Sequence, residues 1–358
     1  LVVVILAPIL GAIADRASAK KRFLFVFTLL GVLMTGALSM VAAGFWVLAV
    51  AVYVFGILGF SGSNVFYDAL LVDVAAPRQY ERVSALGYAL GYLGGGILFA
   101  FDVLMTVNPH WFGLADSAEA VRLAFFSVAC WWALFAIPLF ILVPEPGVGR
   151  EKGWWDAVRG GLSQLVATFH AIRDLRVTFL FLLAYWFYID GVDTIVRMAV
   201  DYGLALGFEA NSLMIALLIT QFIGFPAALV FGQLGSRKGP KQGILIAIFV
   251  YLLVILWAYR MERVQEFYAL AVAIGLVQGG IQALSRALYA RLIPPHQAAE
   301  FFGFYNMLGK FAAVLGPVLV GWAAVLTGSS RVSLLSIGLL FIVGALLLVG
   351  VDVAKGQA

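Results

Sequence analysis

The chain alternates between apolar runs of about twenty residues and short polar turns. The runs fall at about 1–14, 23–43, 45–71, 83–106, 121–143, 177–200, 213–231, 243–259, 267–293, 302–326 and 332–351. A helix rising about 1.5 Å per residue needs about 20 apolar residues to cross a hydrocarbon layer about 30 Å thick. Backbone amides in lipid must be satisfied within the segment, so such runs read as helices. The pattern predicts an all-α polytopic membrane protein with eleven spans, the first too short to cross alone.

Composition sharpens this reading. Hydrophobic residues make up 63% of the chain and charged ones 12%, with mean hydropathy +1.03, whereas a soluble domain is about 25% charged. The isoelectric point near 9.1 would fit a nucleic-acid partner, but the cations sit in the turns. Seventeen of the 23 Lys and Arg fall on one side of the predicted spans, four (Arg122, Arg260, Arg263, Arg331) on the other, and Arg197 and Lys310 inside spans. The positive-inside bias places the opening stretch in the cytoplasm. An integral multi-pass protein follows, in the plasma (inner) membrane if the source is bacterial, with membrane lipid as partner and no nucleic acid. A single cysteine, Cys130, and three scattered histidines, His110, His170 and His296, offer neither a disulfide framework nor a metal set. No cofactor is expected, and a monomer is.

The longest connection runs from Pro144 to Arg176. Trp155, Val158, Leu162, Leu165, Phe169 and Ile172 recur there at helical spacing, which predicts an amphipathic helix lying on the membrane face. The expected organisation is an N-terminal bundle over 1–143, a linker over 144–176 and a C-terminal bundle over 177–358.

The two halves repeat. "GAIADRASAKKR" from Gly11 is echoed by "GQLGSRKGPK" from Gly232, and "DALLVD" from Asp68 by "RALYAR" from Arg286. Pro77 and Gly91 match Pro295 and Gly309 at the same offset as that second pair. Two matches in one order at nearly equal offsets indicate a duplicated bundle. Two spans precede the second basic turn and one precedes the first, so one further helix is expected before Leu1.

At these residues the chain resembles the major facilitator superfamily, whose signature turn has the form G-x-x-x-D-R-x-G-R-K-K. Gly11, Asp15, Arg16, Lys20 and Lys21 match it, while Ser18 and Ala19 depart from the usual Gly and Arg. "NVFYDALLVDVA", "SALGYALGYLGGGI", "YWFYIDGVDTI" and "QALSRALYARLIPP…AEFFGFYNMLGKFAAVLGP" resemble the vacuole-effluxer branch, the autophagy-related vacuolar amino-acid exporters and their bacterial relatives. The resemblance implies two pseudo-symmetric six-helix bundles, with helices 2–6 and 7–12 of the plan present here. It also implies that Asp15 contacts the N-terminal end of the eleventh family helix, near Phe302.

Charges inside spans cost about 2.5–3.5 kcal/mol each on insertion scales. Asp190, Asp193 and Arg197 lie on one helical face at spacings of three and four. A structural Asp193–Arg197 pair would leave Asp190 over, calling for a proton, a substrate amine or Lys310. Gln278, Gln282 and Arg286 form a polar stripe at four-residue steps, and Asn64, Tyr67 and Asp68 another. Asn306 lies one turn before Lys310, which could alternatively snorkel to the interface. Asp190, Asp193, Arg197, Gln278, Gln282, Asn306, Lys310, Asn64 and Tyr67 are the expected substrate and proton site. The repeat sets Asp68 opposite Arg286 and Asp73 opposite Arg291, an expected cytoplasmic gate. Gly87, Gly91 and Gly95 read as a helix-packing seam; the strand and Lys-Ser/Thr of a phosphate loop are missing.

These features predict a secondary active transporter moving a small solute by alternating access, with amino acids and efflux as the specific expectation. A proton is the simplest coupling ion for a carboxylate in an apolar setting. It is not expected to be an enzyme. "FYDAL" and "DGVD" loosely match the paired motifs of an intramembrane aspartyl protease, but its Gly-x-Gly-Asp is missing and the segments are three spans apart. A non-transporting receptor or scaffold on the same fold is the other alternative, since fold does not fix function.

Overall fold

The computed structural model describes residues 2–42, 44–144 and 175–356, and the amphipathic helix expected in the linker lies outside them. Eleven long helices follow one another among the described residues: α1 (Val2–Ala17), α2 (Lys20–Leu38), α3 (Trp46–Ala69), α4 (Tyr80–Val107), α5 (Ser117–Leu142), α6 (Arg176–Ala205), α7 (Ala210–Lys238), α8 (Pro240–Arg260), α9 (Val264–Leu292), α10 (Ala298–Thr327) and α11 (Ser330–Val349). Ten are long and apolar enough to cross a membrane; α1, at 16 residues, is not among them. Several helices outrun the hydrophobic runs. α10 starts four residues before its run and α6 ends five after, because helix geometry continues into polar residues once the apolar core is crossed.

The ends are set by local chemistry. Asp116 caps α5 by accepting the Glu119 amide at 2.8 Å, and Glu119 accepts the Ala115 amide in return at 2.8 Å. α1 ends in a left-handed turn at Ser18, whose φ is +47°. The Ala19 amide donates to Ala14 O and the Ser18 amide to Asp15 O, the paired bonds of a Schellman stop. α7 ends at Gly239, with φ +91° and ψ 146°. After each turn a lysine reaches the C-terminal carbonyls of the last helix in its half. Lys21 donates to Phe140 O and Val143 O beyond α5, and Lys241 to Val349 O and Val351 O at 2.9 and 2.8 Å. A cation there meets the negative end of the helix dipole.

By contacts the chain forms two compact units that cut across chain order. Among the described residues, one draws on 2–74, 97–144 and 295–306, the other on 75–96, 175–294 and 307–356. In the first, α2 packs along α3 and α5. Gly11 lies so close to Ala299 of α10 that a Cβ would fall on the Ala299 carbonyl. In the second, α7 lies along α9, α6 along α11, and α8 against both α9 and α11. Without a hydrophobic driving force between helices in lipid, such close approach and the polar contacts below hold them together.

The expected seam on α4 is corrected in part. A Cβ at Gly91 would meet no atom within 4 Å among the described residues, and one at Gly95 only Gln221 Nε2 at 3.7 Å. The close glycines are on the partner helices: the Tyr92 ring is the near neighbour of Gly224 on α7 and Gly279 on α9. At those two positions small residues admit a large ring from α4, whereas Gly232 on α7 lies close to the backbone of Glu81.

Candidate functional site

α6 supplies the charged site. Asp190 is buried, Asp193 half-buried and Arg197 exposed on one stripe of this helix. Asp190 Oδ1 accepts the Gly316 amide of α10 at 3.1 Å and lies 3.4 Å from the Thr194 hydroxyl. Its Oδ2 is buried and has no hydrogen-bond partner among the described residues. Gly316 is required for this contact, since a Cβ would collide with Thr194 Oγ1. The cations whose fields reach Asp193 are Arg197 and Lys310. The field of Arg197 reaches both acids and that of Lys310 reaches Asp193, while the bonded oxygen of Asp190 has neutral donors.

Further polar atoms in the same unit lack partners. Gln278 Oε1 on α9, Tyr251 Oη on α8 and Trp186 Nε1 on α6 are all buried without a hydrogen bond among the described residues. Buried polar groups are hydrogen-bonded in more than about 90% of cases, to protein or to ordered water. Trp186 and Asp190 are one turn apart on α6. An indole N–H only donates and an ionised carboxylate only accepts.

The α9 stripe meets α4 as a ladder. Arg291 grips Glu81 with two bonds, Nε to Oε1 at 2.6 Å and Nη2 to Oε2 at 2.9 Å. One turn inward Arg286 donates to the Ser84 hydroxyl at 2.8 Å and the Ser84 carbonyl at 3.0 Å. Its guanidinium lies 4.7 Å from the Tyr88 ring centroid, within cation–π range. Ser84 donates to Ala283 O at 2.7 Å, and Tyr92 Oη lies 3.3 Å from Gln282 Oε1. Tyr188 and Ser285 hydroxyls, 2.7 Å apart, tie α6 to α9. Glu81, Ser84, Tyr88 and Tyr92 were missing from the sequence reading. Their spacing of three and four along α4 was the available signal.

A second cluster lies in the other unit. Asp15 accepts the Ala299 amide at 3.1 Å and the Glu300 amide at 2.9 Å, at the first turn of α10. Lys20 lies 3.5 Å from Asp15 and 3.0 Å from Asp73. Asp15 is outside the apolar run of α1; burial pushes its carboxyl up to about 6, against the pull of Lys20 and the two amides. The helix contacted is the expected one, met at Ala299 and Glu300 rather than near Phe302, because α10 begins at Ala298. Arg16 is in the last turn of α1. Asn306 donates to Asp68 at 3.0 Å, Asn64 is half-buried, and Tyr67 is 39% exposed. Of the expected gate, the partner of Arg291 is therefore Glu81 and the partner of Asp73 is Lys20. Both are nearer in their own clusters than the sequence repeat conveyed.

Ten membrane-length helices make the chain an integral multi-pass membrane protein, and its fold is that of the major facilitator transporters. Solved structures share the fold: the human organic anion transporter MFSD10 (TM-score 0.69, 16% identity, 97% of this chain and 80% of that one) and the E. coli fucose:proton symporter FucP (TM-score 0.71, 17% identity, 97% and 87%). Over residues 1–358 the chain matches the family model described as "Vacuole effluxer Atg22 like", and it belongs to that family. It is 40% identical over 348 residues to YxiO of Bacillus subtilis, named an uncharacterized MFS-type transporter, covering 97% of this chain and 81% of that one. It is 29% identical over 300 residues to autophagy-related protein 22-1 of Aspergillus niger, covering 77% of this chain and 48% of that one. The chain spans about half the length of that fungal relative.

Proposed function

We propose that the chain is a proton-coupled exporter of small zwitterionic solutes, amino acids foremost, with Asp190 as its central charged group. The observation that carries this reading is the divided carboxylate of Asp190: one oxygen anchored on Gly316 and Thr194, the other buried and unbonded. A proton or a substrate ammonium group is the natural partner for that second oxygen. Arg197 and Lys310, near Asp193, would receive the substrate carboxylate. The effluxer name of the family and the vacuolar exporters it resembles support the cargo class and direction. Half-by-half alternating access, with boundaries near 143 and 177, is the accompanying mechanism.

Proteoliposomes holding the purified chain test this directly. A panel of radiolabelled amino acids is offered with and without a pH gradient. Gradient-dependent accumulation of at least one of them is expected, and it should vanish when the gradient is collapsed. Flux of none of the panel overturns the cargo assignment; flux indifferent to the pH gradient overturns proton coupling.

A further inference from the structure

Away from the charged stripe, α6 also walls an apolar cavity of about 80 Å³, closed by α7, α8, α9 and α11. Met198, Leu213, Ala216, Met261, Ala271 and Leu334 are among its lining side chains. It lies toward the helix ends opposite the basic turns, since Leu213 opens α7, Met261 ends α8 and Ala271 is in the early turns of α9. A water needs about 10–15 Å³ and two to four polar partners. The volume suffices for several waters, but the polar groups at the wall are occupied. Tyr202 Oη donates to Ala258 O at 2.9 Å, and Thr220 Oγ1 lies 3.0 Å from Ala216 O and 3.2 Å from Ala271 O. Water would gain nothing there, and an apolar group would gain dispersion contacts on all sides.

We propose that this cavity is a binding site for the end of a membrane lipid's acyl chain. Two observations select that occupant. Leu217 both lines the cavity and is 36% exposed, and its neighbour Ile215 is 47% exposed, so the wall is continuous with a face turned to the medium around spanning helices, which is acyl chain. The lining is also adaptable: unbranched thioether side chains at Met198 and Met261 can follow a flexible aliphatic segment, and alanines at 216 and 271 leave room for one. The seated tail would brace α6, the helix that holds Asp190, from its second face.

The test is photolabelling in proteoliposomes with a phosphatidylcholine bearing a diazirine at the end of one acyl chain. A free eight-carbon alkyl diazirine is the second arm. Bulk lipid reaches Phe249, which is 61% exposed, but not Leu213 or Leu270, which are 3% and 4% exposed. Label from the lipid probe is expected at Leu213 or Leu270 as well as at Phe249. Ala216→Leu and, separately, Ala271→Leu should remove the buried label several-fold while sparing Phe249, whose labelling reports an intact protein. Buried residues labelled by the free alkyl probe alone, by neither probe, or equally in a filled variant that keeps the Phe249 label, would each overturn the proposal.

Discussion

Glu81, fully buried at the start of α4, is held by two donors of Arg291, Nε and Nη2 on one edge of its guanidinium, at the end of α9. One residue comes from the first half of the chain and the other from the second. Removing one member of a buried pair costs about 3–5 kcal/mol, because the survivor keeps its desolvation without its partner. Glu81→Gln and Arg291→Gln should each lower the melting temperature in detergent clearly, and the double variant should cost less than the two singles added. A double-mutant cycle reads the coupling, expected at about 1–3 kcal/mol. Strict additivity would show that the two side chains act independently.

Ser18 and Gly239 end α1 and α7 with positive φ, +47° and +91°, and they carry opposite expectations. An L-residue in the left-handed region costs about 1–2 kcal/mol, part of which glycine gives back as unfolded-chain entropy. Ser18→Gly should therefore raise stability by about 0.5–1 kcal/mol. Gly239→Ala, at a φ and ψ close to glycine-only territory, should lower it by about 1–3 kcal/mol. Thermal melts of the two variants against the parent check the signs; a destabilised Ser18→Gly would mean that the serine side chain is worth more than the strain.

Much of the fold was legible in run lengths alone, and the repeat was legible in detail. Pro77 and Pro295 each open a short 3-10 turn before α4 and α10, as a shared offset requires. The acid at 15 and the glycine at 239 show why the two basic turns differ: the first keeps its carboxylate for α10 and has serine at the left-handed position, while the second keeps the glycine. The α4 side of the ladder was harder to see. Tyr88 and Tyr92 read equally well as interfacial aromatics, and nothing in a single sequence separates a tyrosine facing lipid from one laid against Arg286 or Gln282. The Asp190 contact with Gly316 was hidden for a different reason, since the donor is a backbone amide, invisible as a residue type.

Asp15 makes the α1–α10 junction pH-sensitive. Its carboxyl is raised from an ordinary 3.8 to about 6, chiefly by burial, so this conformation binds the proton more tightly than a hydrated one. The stabilisation is fully present below the ordinary value and is lost as pH rises through about 6. Amide hydrogen exchange in the first turn of α10, corrected for intrinsic rates, should slow as pH falls from about 7 toward 5. Asp15→Asn, fixed in the uncharged form, should show no such trend. Protection that increases with pH in the parent chain would reverse the assignment.

Asp190 bears both a structural and a proposed transport role, and the two can be separated by substitution. Asn retains an oxygen for the Gly316 amide, so Asp190→Asn should fold with a melting temperature close to the parent. Ala removes that acceptor from the buried Gly316 amide, next to Pro317 inside α10, at a cost of about 1–3 kcal/mol. Gly316→Ala, which drives a methyl into Thr194, should destabilise the same contact from the opposite side. Transport then divides the proposed roles of the unbonded oxygen. If Asp190 carries the coupling proton, Asp190→Asn abolishes gradient-driven flux yet sustains exchange of substrate down its own gradient. If it binds the substrate amine, both modes fail. A folded Asp190→Asn chain that transports normally in both modes would leave the carboxylate with its hydrogen bond to α10 and no part in transport, and the charged stripe of α6 would then be architecture.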